Sequence, residues 1–210
     1  MKDSLFPDHY FIQFSRTLNM LQNQPDHVLD YFRNHVQFMS LPRGEILLQA
    51  GQICDHYYYI CQGAIRGFIR DESREITTWV SVDGEMVTSI SSLDLAKPAF
   101  ENIQAIEDCH LLAMTNNDLN RLYTLFPDFN RTGRLLLQQY YRDAEMRAYI
   151  SRLSNAETKY LHFLDRYEHL ANRIQLQYIA SFLGINLETL SRVRKKLAGQ
   201  MQATARNNKG

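Results

Sequence analysis

Apolar residues in the first 36 positions recur at three- and four-residue steps: Phe11, Phe14, Leu18 and Leu21, then Val28, Tyr31 and Phe32. That period predicts helices between about residues 5 and 36. From 37 to 115 the chain turns to short runs rich in β-branched and aromatic residues, VQFMSLPRGEILLQAG, HYYYICQGAIRGFIR, EITTWVSVDGEMV and NIQAIEDCHLLAM. Gly44, Gly51, Gly63, the turn Asp71-Glu72-Ser73-Arg74 and Asp83-Gly84 divide them. Strands at intervals of about 8–12 residues with turn residues between them predict an antiparallel sandwich or barrel, with no helix inside it.

Helical spacing returns at 116. NNDLNRLYTLF predicts a short helix stopped by Pro127, and DFNRTGRLLLQQYYRDAEMRAYISRL predicts one of about 26 residues, roughly 39 Å long at 1.5 Å per residue. Leu137, Tyr140, Ala144, Arg147 or Ala148, and Tyr149 or Ser151 lie near one seam of it, which is only partly apolar. This helix is expected both to cover one side of the barrel and to pair with a copy of itself. Ser154-Asn155-Ala156-Glu157 then fits a capping box, the Ser154 hydroxyl accepting from an orphan amide and Glu157 reaching back. The helix it opens is expected to bury Leu161, Leu164 and the ring of Tyr167, and a domain boundary is placed at this junction.

The last patterned stretch is QLQYIASFLGINLETLSRVRKKLAGQ. A helix over 177–183 would turn Ile179, Phe182 and Leu183 inward. Gly184 supplies a corner where a left-handed conformation costs little, and Asn186 can cap a second helix. At about 100° per residue, Leu190, Val193 and Leu197 form a buried stripe, while Glu188, Ser191, Arg192 and Lys195 fall on the opposite side. A glycine-cornered helix pair with that partition suits a major-groove reader. Arg can pair with guanine, Glu can accept from cytosine, and Ser can serve several bases. Arg194, Lys195 and Lys196 would neutralise phosphates. A solvated surface face remains the plainer alternative for the same pattern.

Composition changes the picture in one respect. The 210 residues balance at 23 Lys and Arg against 23 Asp and Glu, but residues 1–154 hold 14 basic and 19 acidic side chains and residues 155–210 hold 9 and 4. The basic half is the one carrying the helix pair, which favours a polyanionic partner. No apolar run approaches the roughly 20 residues needed to span a bilayer, and the first residues lack a secretory signal pattern. Cys54, Cys61 and Cys109 are odd in number and widely spaced, which suits a reducing cytoplasm and predicts buried apolar thiols.

Asn186-Leu187-Glu188-Thr189-Leu190-Ser191-Arg192 resembles the recognition helix of the cyclic-AMP receptor protein and fumarate–nitrate regulator (CRP/FNR) family, whose pattern is E-T-x-S/G-R. PRGEILLQAGQICDHYYYICQGAIRGFI is similar to the opening of that family's β-roll, and the resemblance runs from about residue 25 to 197. It implies an α+β chain in three parts. Residues 1–126 would form a helical lead-in and an antiparallel β-roll of the cyclic-nucleotide-binding kind, a double-stranded β-helix. Residues 127–153 would be a long dimerisation helix, and 154–210 a helix–turn–helix DNA-binding domain. The implied function is a homodimeric, cytoplasmic transcription regulator reading palindromic double-stranded DNA, with RNA polymerase as a further partner. Glu188, Ser191 and Arg192 would contact bases; Gln177, Asn186 and Thr189 would contact phosphates.

Two departures qualify the resemblance. The family's nucleotide cassette reads roughly G-E-L-G-L with Arg-Ser about ten residues beyond its Glu. Here Ser89 stands for the Glu and Ala99-Phe100 for the Arg-Ser, so both anchoring charges are gone. Cyclic AMP is not expected as the effector, and no cofactor is expected. An unlike small molecule held by Ser89, Ser91, Ser92 and Lys97 is one outcome, a vestigial scaffold the other. After Leu197 only AGQMQATARNNKG remains, polar and turn-prone, so the family's β-hairpin wing is expected to be missing or disordered. A cupin-like metal enzyme, the main rival, needs several histidines converging in the barrel, but only His56 and His110 fall between 37 and 115. No catalytic residue and no metal ligand is expected. A protein-interaction module is the third class.

Overall fold

A computed structural model describes residues 7–207. The chain forms two compact units, Met1–Arg70 with Thr78–Arg142, and Asp71–Thr77 with Asp143–Gly210.

Along the chain, α1 (Asp8–Leu21) and α2 (Asp26–His35) precede the strands β1 (Gln37–Leu41), β2 (Ile46–Leu48), β3 (His56–Gln62), β4 (Ala64–Asp71), β5 (Arg74–Val82) and β6 (Met86–Val87), of which the β4–β5 turn, Asp71–Thr77, is counted with the second unit. A helix, α3 (Ile90–Leu95), leads to β7 (Asn102–Ala105) and β8 (Cys109–Thr115). Two four-stranded sheets result, ordered β1-β8-β3-β6 and β2-β7-β4-β5, with antiparallel pairing. Strand alternation sorts their side chains. Ile60, Ile65, Ile103 and Leu111 meet inside the roll. Tyr59, Cys61, Leu112 and Met114 face the other way, onto Phe11, Phe14 and Phe32 of the leading helices. The sheet is thus buried on both faces. The presence of α3 corrects the expectation of a helix-free barrel: six residues make under two turns, too few for a period to show.

Next come α4 (Asn116–Leu125) and α5 (Phe129–Arg152), the latter 24 residues long. The Thr115 hydroxyl caps α4 by accepting from the Asp118 amide. A side chain at Gly133 would begin 2.3 Å from the Tyr123 hydroxyl, so glycine lets α5 lie tightly on α4. Tyr140 accepts from the Met86 amide at 2.6 Å and donates to the Met86 carbonyl at 2.7 Å, fastening the first half of α5 to β6.

The second unit holds α6 (Ala156–Tyr167), a 3-10 turn (Glu168–Leu170), α7 (Leu176–Leu183) and α8 (Leu187–Asn207). In the same unit Ser181 Oγ accepts from the Thr77 amide and donates to the Glu75 carbonyl. Three expectations are corrected here. Asn155, not Ser154, caps α6, accepting from the Thr158 amide at 3.0 Å, and Glu157 pairs with Lys196 instead of reaching back. The buried stripe of α6 is Tyr160, Phe163 and Tyr167, while Leu161 is 46% exposed: the larger rings take the core. The tail after Leu197 continues α8 as far as Asn207, in keeping with the helix propensity of its Ala, Gln and Met residues. No strand follows it among the described residues.

All three cysteines are free and buried. Burial pushes the Cys61 thiol from 9.0 to about 12 and the Cys109 thiol from 9.0 to about 11. The thiolate is the nucleophile, so at pH 8 iodoacetamide should leave both unmodified in the folded protein and label both in denaturant. Because the folded values are raised, the stability these groups contribute is complete below about pH 9 and is lost as pH rises toward 11–12. The melting temperature should therefore fall on the alkaline side, and Cys61→Ala should make that fall shallower. Labelling of Cys61 in the folded state at pH 8 would contradict the burial.

Candidate functional site

The corner between α7 and α8 is built as its residues require. Gly184 adopts a left-handed conformation, φ +61°, and the Ile185 amide donates back to the Ala180 carbonyl, closing α7. Asn186 Oδ1 accepts from the Thr189 amide at 2.7 Å and so caps α8. Leu190, Val193 and Leu197 are buried, as are Ile179, Leu183, Phe163 and Leu170 of the same unit. Lys159, itself buried, donates from Nζ to the Leu183 carbonyl at 2.8 Å and to the Ser151 carbonyl at 3.3 Å, satisfying an orphan acceptor at the end of α7.

With that stripe fixed inward, Glu188, Ser191, Arg192, Lys195 and Lys196 are exposed on the other side of α8. Gln177 is exposed in the first turn of α7, where its amide donates to the Gln175 side chain. Thr189 is half-buried and accepts from an Arg192 guanidinium nitrogen at 3.3 Å. Two basic groups are engaged within the unit instead of standing free. Arg194 donates to the Ala171 carbonyl and to Asn172 Oδ1, both at 3.0 Å, and Lys196 pairs with Glu157. Spacing alone set Arg194 beside Lys195, but its guanidinium turns back to brace α8 against the turn before α7.

The cassette region of the roll is closed by its own side chains. Ser89, wholly buried, donates to Glu101 Oε1 at 3.0 Å, and Trp79 donates its indole N–H to Glu101 Oε2 at 2.8 Å. Ser92, also buried, donates to the Lys97 carbonyl and accepts from the Cys54 amide. Ser91 and Lys97 are exposed. Of the four proposed effector residues, then, two are spent on the fold and two point to solvent. Glu101 and Trp79 were not anticipated. The signal was there: an acid in the run AFENIQAI, two positions after the missing arginine. Where the resemblance implies a guanidinium for a cyclic phosphate, this roll has Ala99, and the buried Glu101 two positions on is bonded to Ser89 and Trp79.

Both histidines of the roll have partners, His56 with the Asp55 carboxylate and His110 with the Tyr10 hydroxyl. Among the described residues, no three His, Cys, Asp or Glu side chains are grouped to hold a metal ion. Nor is any of their helices long and apolar enough to cross a membrane.

Residues 38–124 match the family model of the cyclic nucleotide-binding domain. No curated protein matches the sequence. Solved structures do match by fold. FixK2 from Bradyrhizobium japonicum is 18% identical with a TM-score of 0.70, the match covering 79% of this chain and 85% of that one. The c-di-GMP responsive global regulator CLP of Xanthomonas campestris is 19% identical with a TM-score of 0.65, over 84% of this chain and 93% of that one. A protein from Eubacterium rectale assigned to the crp/fnr family is 16% identical with a TM-score of 0.64, over 88% of each chain. The resemblance read from the motifs therefore holds at the level of the fold. The chain is α+β, with a match to the cyclic nucleotide-binding domain over residues 38–124.

Proposed function

We propose that this chain is a homodimeric, sequence-specific DNA-binding transcription regulator of the CRP/FNR type, acting in the cytoplasm where chromosomal DNA lies. The observation that carries the proposal is the start of α8. One face is locked into the core by Leu190, Val193 and Leu197, the entry is fixed by Gly184 and Asn186, and the other face offers Glu188, Ser191, Arg192 and Lys195 to solvent. A rigid helix whose first turns carry hydrogen-bonding side chains is what base-edge reading needs. In this reading Glu188, Ser191 and Arg192 read bases, while Gln177, Asn186, Thr189 and Lys195 meet phosphates. Dimerisation is assigned to α5, on which Leu137, Tyr141, Met146 and Tyr149 are 58%, 72%, 43% and 51% exposed. Large apolar groups left in water along a long helix favour burial against a copy. Contact with RNA polymerase follows by resemblance. The effector is assigned to a molecule other than a cyclic nucleotide, because Ser89 and Ala99 replace the anchoring charges and Ser89 is itself bonded to Glu101.

Binding to duplexes enriched from a random library tests the assignment. Arg192→Ala should weaken the preferred site by roughly 1–3 kcal/mol, 5- to 150-fold, and relax preference at one base pair. Lys195→Ala should weaken all sequences alike and reduce the salt dependence by about one phosphate contact. Arg194→Ala should lower the stability of the second unit and leave the salt dependence unchanged. Unaltered affinity and base preference in Arg192→Ala would remove α8 from the interface.

A further inference from the structure

Outside the roll the first unit contains a second feature that its sequence gives little hint of. A cavity of about 370 Å³ lies between α1, α2, α4, the first turns of α5 and the outer face of β3 and β8. Phe14, Phe32, Tyr59, Met114 and Tyr123 are among the side chains that wall it. Tyr59 and Met114 belong to the outward cluster of the sheet, whereas the cassette lies on the inward side with Ile60 and Leu111. Tyr57 and Tyr58, which pack with the inward cluster, also wall it, but Ser89, Ser91, Ser92, Trp79 and Glu101 do not, so the cavity is distinct from the nucleotide cassette.

Its chemistry is uneven. Aromatic and aliphatic carbon lines the sides formed by α1, α2 and the sheet, and the polar lining is gathered on α5 at Asn130, Thr132 and Arg134. Thr132 Oγ1 accepts from the buried Gln24 amide at 2.9 Å. Arg134 is the charged group among the lining residues and is exposed. Burial pushes the Tyr123 hydroxyl upward, and that of Tyr58 to about 12, so these walls stay neutral at ordinary pH. The volume is over twice the ~150 Å³ apolar cavity that accepts benzene, which scales to a guest of about 15 non-hydrogen atoms. It also falls within the range of ligand pockets, about 300–1,000 Å³.

We propose that this cavity is the effector site of the protein, and that it takes a medium-chain carboxylate, the hydrocarbon tail among the aromatic rings and the head group at Arg134. A dry apolar tail gains roughly 0.8 kcal/mol for each buried CH₂, and a carboxylate suits the fork of a guanidinium. The effector role rests on the regulator reading, whereas the binding itself is measured without DNA.

The test is calorimetric titration of the full-length protein, without DNA, with dodecanoate and dodecanol below their aggregation limits. Dodecanoate should bind saturably at one site per chain and raise the melting temperature, and dodecanol should bind more weakly. Leu136→Trp, which fills the cavity from a half-buried lining position, should weaken dodecanoate by about tenfold or more while the circular dichroism is kept. Arg134→Gln, at an exposed position that folding does not need, should bring dodecanoate down to the affinity of dodecanol and leave dodecanol unchanged. Overturning results are no saturable binding by about 1 mM, binding that Leu136→Trp does not weaken, or an Arg134→Gln protein that still prefers the acid.

Discussion

Gly67→Ala is expected to destabilise the roll by about 3–5 kcal/mol, although glycine-to-alanine in a strand ordinarily gains 0.5–1 kcal/mol from backbone entropy. The sign is reversed by Trp79. A Cβ at position 67 would lie 2.1 Å from Trp79 Cε2 and 2.3 Å from its Nε1, contacts with the ring itself and not with a flexible tip. The indole must move, and overpacking of this kind costs about 1–3 kcal/mol. Moving it also breaks the N–H bond to Glu101, leaving a buried carboxylate with less support, worth a further 1.5–3 kcal/mol for a hydrogen bond to a charged group. Trp79 is half-buried, so outward rotation is the route of relief and caps the loss. A double-mutant cycle isolates the cause. In a Trp79→Ala background Gly67→Ala should become neutral or mildly stabilising, giving a coupling of several kcal/mol by chemical denaturation. If the two effects simply add, the contact is not what keeps glycine there.

That triangle of Gly67, Trp79 and Glu101 also shows where sequence pattern stops being informative. The α7–α8 corner was legible because every determinant is local. Gly184 and Asn186 act on their own turns, and Leu190, Val193 and Leu197 are joined by the helical period alone. The strands of the roll were legible for the same reason. The closing of the cassette was not, since Trp79 reaches Glu101 across 22 positions and Ser89 reaches it across 12, through a fold that must already exist. The outer cavity is less local still, joining Phe14 to Leu137. Smaller misses have the same origin. Asn155 outcompeted Ser154 as a cap, Tyr160 and Phe163 outcompeted Leu161 for the core, and Arg194 found the Ala171 carbonyl. In each, two nearby residues fit the local rule and tertiary packing chose between them. The missing guanidinium at Ala99 was plain to read. The Glu101 carboxyl that engages Ser89 and Trp79 nearby needed the three-dimensional neighbourhood.

Phe163→Ala is expected to lower the stability of the second unit, which carries the proposed DNA-binding surface. Phe163 is 1% exposed, and its ring lies 5.4 Å from that of Tyr167 and 5.8 Å from that of Phe182, so it joins α6 to α7. Truncating a buried phenylalanine costs about 3–5 kcal/mol, a large share of what a small domain has. The ring contacts removed, to Tyr167 and Phe182, lie within the second unit, so an earlier transition of that unit should appear. DNA affinity should fall in proportion to the folded fraction of the second unit, because only the folded corner presents Arg192. At low temperature the loss should shrink, and excess preferred duplex should raise the early transition, since a ligand of the folded form stabilises it. Phe163→Leu, which keeps most of the volume, should recover most of both stability and binding. Were Phe163→Ala to melt its second unit early and yet hold DNA undiminished at 37 °C, recognition would have to reside outside α7 and α8.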